Sequence, residues 1–206
     1  DLFDSSCCFV ASHLTAGQAY AQDRIREWHY VHSELRFARA RSLASHDLVV
    51  WLGDLNYRLD MDGEEARRAA AAGDYARLLE ADQLTRAMAR GAVPPGFTEP
   101  SPPAFPPSYK YDPGTDWYDT SEKNRVPSYC DRILWRVKEG STPSEPVRVL
   151  AYRDIKHVRL SDHKPVQAVA VVQVRVIDRD RMDALMGELM AGLTVGGAVG
   201  GGSAAA

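Results

Sequence analysis

Apolar residues fall along this chain in short continuous runs, each stopped by a Gly or a cluster of small polar residues. The clearest run, Leu48 to Leu52, ends at Gly53 and is followed at once by Asp54 and Asn56. A run of this length bounded by a turn signal reads as a buried strand. Similar runs predict strands at Leu2–Ser12, Asp131–Val137, Val147–Arg153 and Val166–Ile177, with a short one at Tyr109–Tyr111. Between the first two strands, Ile25, Trp28, Val31, Leu35 and Ala38 recur at near-helical spacing, so a long amphipathic helix is expected within Gln18–Ala44. Gly63–Arg90 is rich in Ala, Arg and Glu and predicts two or three helical pieces broken near Gly73–Asp74. Pro and Gly then dominate from Gly91 to Pro107, which reads as an extended loop. After Asp178, the spacing of Met182, Leu185, Met186, Leu189 and Leu193 predicts one more helix, and Gly196–Ala206 reads as a Gly/Ala-rich flexible tail.

Chemistry gathers at the margins of these strands. Asp54 and Asn56 project from a strand end, where α/β architectures place their active sites. An Asp there can position or deprotonate water, and an Asn two residues on can donate its amide to a developing phosphoryl oxygen. Taken alone, a Gly-Asp turn followed by Asn is also common structural punctuation. Three further margins carry the same kind of residue: Ser12-His13 after the first run, Cys130-Asp131-Arg132 before another, and Ser161-Asp162-His163-Lys164 before the last. Four such margins can converge on one edge of a sheet. The Pro-rich loop is followed by Tyr109, Lys110, Lys123 and Arg125, one hydroxyl and three cations, which composition alone would assign to a solvated surface.

The order of these segments resembles the inositol polyphosphate 5-phosphatases of the endonuclease/exonuclease/phosphatase superfamily. The segments are Ser12-His13-Leu14, Trp51-Leu52-Gly53-Asp54-Leu55-Asn56-Tyr57-Arg58, Pro106-Pro107-Ser108-Tyr109-Lys110-Tyr111-Asp112, Ser121–Trp135 and Ser161–Val166, and the resemblance runs from about Asp4 to Val172. Ser12–Gln18 and Tyr118–Lys123 are most similar to the synaptojanin-like and Lowe-syndrome-phosphatase-like branches. The resemblance implies a DNase I-like α/β (α+β) fold, a two-sheet sandwich flanked by helices. It also implies Mg²⁺-dependent hydrolysis of the 5-phosphate of phosphoinositides or soluble inositol polyphosphates.

Residue by residue, the resemblance implies that Asp54 handles the attacking water and Asn56 a phosphoryl oxygen. His163 and His13 would contact the scissile phosphate, and Asp131 would accept from the second ring nitrogen of His163 and fix its tautomer. Tyr109, Lys110 and Lys123, with Arg125 as a further member, would read the neighbouring 4-phosphate. Asp162 is a possible metal ligand. Arg132 is expected to pair with Asp131 or brace its strand. The family's principal magnesium ligands, a Glu and an Asn on early strands, have no counterpart here; Asp4 and Glu27 lie outside that motif. Trp and Ala are usual where Tyr129 and Ser128 stand, and only repacking is expected from the change. The expectation is therefore the C-terminal portion of a catalytic domain over residues 1–177, inactive by itself, followed by a helix and tail over 178–206.

Composition is consistent with this reading. With 206 residues, 45% of them hydrophobic, the chain can bury a sizeable core. A formal net charge of −3 speaks against a broad nucleic-acid surface, so a nuclease of the same superfamily is the weaker alternative; a non-catalytic polyphosphate-binding remnant is the other. No run approaches the ~18 apolar residues that suggest a membrane span. Three Cys (Cys7, Cys8, Cys130) make neither a disulfide framework nor a zinc pattern, and the expected setting is the cytoplasm with peripheral membrane contact. Cys130 is expected to be a small core residue.

Overall fold

The computed structural model describes residues 1–138, 140 and 147–196. A three-stranded sheet carries β1 (Cys7–His13), β2 (Leu48–Asp54) and β3 (Asp131–Val137) in that order, with β1 parallel and β3 antiparallel to β2. A second sheet pairs β4 (Val147–Asp154) with β5 (Val166–Val172), antiparallel. β2 lies between two partners, which explains its unbroken apolar run. The parallel β1–β2 pairing needs a crossover, and α1 (Ala21–Glu34) supplies it. Trp28 of α1 meets Trp51 of β2 at 5.2 Å between ring centroids, and Phe97 of the Pro-rich loop closes on both. These three rings are the centre of the larger apolar core.

The Ala/Arg/Glu-rich stretch divides into α2 (Gly63–Ala72), α3 (Tyr75–Glu80) and α4 (Gln83–Ala89). Each piece starts on an aspartate. Asp62 accepts from the amides of Glu64 and Glu65, Asp74 from Arg77, and Asp82 from Thr85, satisfying donors that a helix start leaves unpaired. Gly73 ends α2 in the left-handed region at φ 72°, as a C-terminal cap requires. Ala66, Ala69, Leu78 and Leu79 of α2 and α3 then cover Leu59, Phe105 and Tyr129 in a second core, against which Tyr152 of β4 and Val166 of β5 pack.

Four expectations are corrected. β1 begins at Cys7 rather than Leu2, because Leu2 and Ser5 bridge to each other across a tight turn. α1 ends at Glu34: Leu35 and Phe37 both pack on the core, and residues two apart share one face only in extended chain. β5 ends at Val172 because Val147, the first residue of β4, is its last partner. Tyr109–Tyr111 forms no strand; Tyr109 bridges singly to Ser128 and His163, and Tyr111 to Tyr118. α5 (Arg179–Gly196) forms where the last periodicity predicts it, with Met182, Leu185, Met186, Leu189 and Met190 exposed. The Gly/Ala-rich tail lies outside the described residues apart from Gly196. No described helix is long and apolar enough to cross a membrane.

Arg132 also takes other partners than Asp131. Neighbours along a strand point to opposite faces, so Arg132 is turned inward, fully buried, and meets Asp82 at 2.8 Å and Glu99 at 2.6 Å. Tyr152 of β4 donates to the same Glu99 at 2.7 Å. This buried ionic group joins the first sheet, the start of α4, the Pro-rich loop and the second sheet.

Candidate active site

Register alone builds the floor of the site. His13 pairs with Asp54 across β1–β2, and Asp54 pairs with Asp131 across β2–β3, so three chemistry-bearing residues stand in one row at the sheet's end. Gly53 makes the row possible. A Cβ there would lie 2.2 Å from the carbonyl oxygen of Ser12, and its φ of 128° is one that other residues rarely adopt. His163 completes the group from the segment before β5, where its backbone bridges to Tyr109.

His163 Nδ1 lies 2.8 Å from Asp131 Oδ2, and its Nε2 lies 3.9 Å from Asp54 Oδ2. Ser108 donates its hydroxyl to the same Asp131 oxygen at 2.6 Å. His13 Nε2 approaches Asp54 Oδ2 from the other side at 3.3 Å, with its ring largely exposed. Among the described residues, Asp54, Asp131 and His163 form the group of three whose ligand-type atoms lie close enough to share a metal ion.

Electrostatics separates the two members that face each other. Burial pushes the Asp54 carboxyl above the ordinary carboxylate range; the charge of Asp131 adds to this, while His163, His13 and the Asn56 amide oppose it. For His163 burial acts downward, but its hydrogen bond to Asp131 and the charges of Asp131, Asp54 and Asp162 overrule that and raise it. A carboxylate inclined to take a proton therefore faces an imidazole inclined to keep one.

Asn56 sits beside Asp54 in the left-handed region (φ 56°) and is almost fully buried. Its backbone amide donates to Asp54 Oδ1 at 3.0 Å, its side-chain Nδ2 to the Leu14 carbonyl at 3.0 Å, and its Oδ1 accepts from Arg58. Arg58 also donates to the Asn56 carbonyl and lies 4.5 Å from the Tyr109 ring centroid. The other neighbour of that ring is His163, 4.6 Å away between centroids. Cys130 is fully buried, with its thiol pushed well up by burial, and has a core position.

The cations after the Pro-rich loop arrive by a different route. Lys110 follows Tyr109 and keeps its ammonium 4.0 Å from Asp119, while Lys123 and Arg125 stand exposed on the loop that Asp119 begins. Asp162 stands apart from the close group, its carboxylate accepting from the Ser161 hydroxyl and its carbonyl from the Tyr111 amide. Glu27 is occupied by Thr15, and Asp4 by Arg179 and the Ile177 amide. A cavity of about 790 Å³ is lined by Arg67, Tyr111, Trp117, Tyr118 and Lys164 among others. It is not where the Asp/His group lies.

Sequence reasoning assigned no role to Arg58, Ser108 or Asp119. Arg58 ends the Gly-Asp-Leu-Asn-Tyr-Arg run, and a long cation directly after a buried strand is a signal that could have found it. Ser108 and Asp119 lie inside the Pro106–Asp112 and Tyr118–Lys123 segments that carry the resemblance, but neither segment says which partner each one takes.

Residues 1–169 match the family described as Endonuclease/Exonuclease/phosphatase family 2. Synaptojanin of Caenorhabditis elegans is 44% identical over 174 residues, 84% of this chain and 15% of that protein. Inositol-1,4,5-trisphosphate 5-phosphatase 1 of Schizosaccharomyces pombe is 41% identical over 189 residues, 92% of this chain and 17% of that protein. Among solved structures, the inositol polyphosphate 5-phosphatase domain of SPsynaptojanin, in complex with inositol (1,4)-bisphosphate and calcium ion, superposes with a TM-score of 0.84 at 40% identity. That match covers 94% of this chain and 55% of the other. The chain thus spans only a part of each relative.

Proposed function

The chain belongs to the endonuclease/exonuclease/phosphatase family 2, and on that premise we propose that residues 1–177 contribute to a phosphatase that removes the 5-phosphate from phosphoinositides or inositol polyphosphates. The observation that carries the reading is the row His13–Asp54–Asp131 closed by His163. Phosphate monoesters resist hydrolysis unless the nucleophile is placed and the developing charge is met, so catalysis is mostly positioning and electrostatics. Asp54, raised by burial, takes a proton from the attacking water or aligns it. Asp131, itself held by Ser108, fixes His163 with Nδ1–H turned inward, so that Nε2 faces the space in front of Asp54. A protonated His163 there donates to a phosphoryl oxygen, and His13 offers a second donor from the exposed side. Asn56 spends one side-chain N–H on Leu14 and keeps one to donate, locked beside Asp54 by Arg58.

Magnesium is part of this proposal. Two neighbouring carboxylates fit a hard cation that is commonly held through one or two carboxylates and otherwise keeps water and phosphate oxygens. Asp54 and Asp131 are the residues here that would hold it. Bound, the ion would neutralise charge on the phosphoryl group. The solved relative contains calcium and inositol (1,4)-bisphosphate, which supports a divalent-cation site and an inositol-phosphate ligand. Tyr109, Lys110 and Lys123, with Arg125 at the rim, are proposed to read a 4-phosphate, and peripheral membrane contact in the cytoplasm is the proposed setting.

The test is phosphate release by the full-length protein, with and without Mg²⁺. The substrates are phosphatidylinositol 4,5-bisphosphate, its 3,4,5-trisphosphate relative and soluble inositol 1,4,5-trisphosphate. Release from a 5-phosphate that stops on chelation is expected. Tight binding without release would instead mark a non-catalytic polyphosphate-binding module.

A further inference from the structure

Lys110 and Lys123 are thirteen positions apart, on different segments, and both side chains are long and flexible. Two lysines can discriminate a phosphate at one ring position only if something fixes their relative placement, because each loses considerable rotamer freedom on binding. One buried group touches both segments. The Asp119 carboxylate is 1% exposed; its Oδ1 lies 4.0 Å from Lys110 Nζ and accepts from the Ser121 amide at 3.1 Å. Its Oδ2 accepts from the Arg125 amide at 2.9 Å. The Asp119 amide in turn donates to the Lys110 carbonyl at 2.9 Å. Asp119 thus clasps both ends of the turn that carries Lys123, and it holds the backbone and side chain of Lys110 as well.

Arg67 of α2 backs the clasp from outside, donating to the carbonyls of Asp119 and Arg125 and to the Asn124 side chain. The arrangement suits a support rather than a ligand. Asp119 is too buried to meet an anionic substrate and would repel one, while its distance from Lys110 leaves that partly exposed ammonium able to face another anion. Burial acts to raise the Asp119 carboxyl, but the bonds from Ser121 and Arg125 and the charge of Lys110 bring it below the usual range, so it is ionised at neutral pH.

We propose that Asp119 is the positioning residue of the phosphate-reading cations, setting the spacing of Lys110 and Lys123 from behind the site. This rests on the reading of those lysines given above, and the experiment separates the two. In the full-length protein, KM and kcat are measured for Asp119→Ala and Asp119→Asn on inositol phosphates with and without a 4-phosphate, beside Lys110→Ala and Lys123→Ala. For Asp119→Ala we expect KM to rise on the order of tenfold on the 4-phosphate substrate, the equivalent of one charge-assisted bond. Its kcat should hold near wild type, and the substrate lacking that phosphate should show neither change. Asp119→Asn keeps one acceptor but loses the charge and should fall between; it decides the matter if the alanine variant does not fold. Losses shared equally by both substrates, or a drop in kcat with a lower Tm and no change in discrimination, would make Asp119 a structural residue only. If the lysine variants alter discrimination and neither Asp119 variant does, this inference fails while the reading of the lysines stands. If the lysine variants leave discrimination intact, both fail.

Discussion

The Tyr109 ring lies 4.6 Å from the His163 imidazole, tilted 41° to it, and the two residues are also joined as a β-bridge through their backbones. With Arg58 against the same Tyr109 ring, the imidazole is braced on one face and tied at Nδ1 by Asp131. Only its Nε2 edge is left for chemistry.

Together with the proposed reading of a 4-phosphate by its hydroxyl, that relationship gives Tyr109 two separable duties. Tyr109→Phe keeps the ring and loses the hydroxyl, so KM for a 4-phosphate substrate should rise while kcat stays within about twofold. Tyr109→Leu removes the brace as well, and kcat should fall roughly tenfold, the worth of about one aromatic contact. Steady-state kinetics of both variants decides this; equal kcat in the two would show that the ring contact does not orient His163.

On the proposed mechanism both groups act chiefly as the transition state forms, so Asp54→Asn and His163→Ala should each lower kcat by at least about 10³-fold in the full-length protein, with substrate affinity at saturating Mg²⁺ little changed. Binding by calorimetry and turnover by phosphate release provide the two halves of the measurement. Near-normal turnover in either variant removes that residue from the mechanism.

Arg132→Leu should be among the most destabilising changes in the chain. It strands Asp82 and Glu99, a nearly or fully buried pair of carboxylates, without their cation. Losing one partner of a buried ionic group costs about 3–5 kcal/mol. Denaturant unfolding would check the figure, and a loss under about 1 kcal/mol would contradict the inward role.

His46 gives a pH-dependent prediction. It is buried against Phe37 with neither ring nitrogen hydrogen-bonded, and burial, then Arg41, lowers its pKa against the opposing pull of Asp47. The folded state therefore refuses a proton that the unfolded chain accepts below about pH 6.5. Stability is intact above that pH and declines as pH falls toward the lowered folded value. His46→Leu lacks this contribution, so its stability relative to wild type should improve steadily between pH 7 and pH 5. A pH-independent difference between the two proteins would rule the contribution out.

How much of this was legible in the sequence depends on the range of the forces involved. The start of β2, the limits of β3, the break-up of Gly63–Arg90 into helical pieces and the placing of Asp54 and Asp131 toward strand ends follow from local patterns: an apolar run, a Gly, a helix-prone composition. The family resemblance rested on those same local words. What the sequence did not show is who meets whom across distance. Arg132 stands beside Asp131 in the chain, yet alternation turns it to the other face, where Asp82 and Glu99 wait. α1 ends before the apolar periodicity does, because Leu35 and Phe37 obey the core's demand for an extended chain. Asp119 stands in the Tyr118–Lys123 segment, but its hold on Lys110 and Arg125 arises only when two segments fold around it. Propensity and capping act within a few residues and can be read along the chain. Register, face and buried charge pairing arise from contacts between distant segments, so the tertiary structure alone decides them.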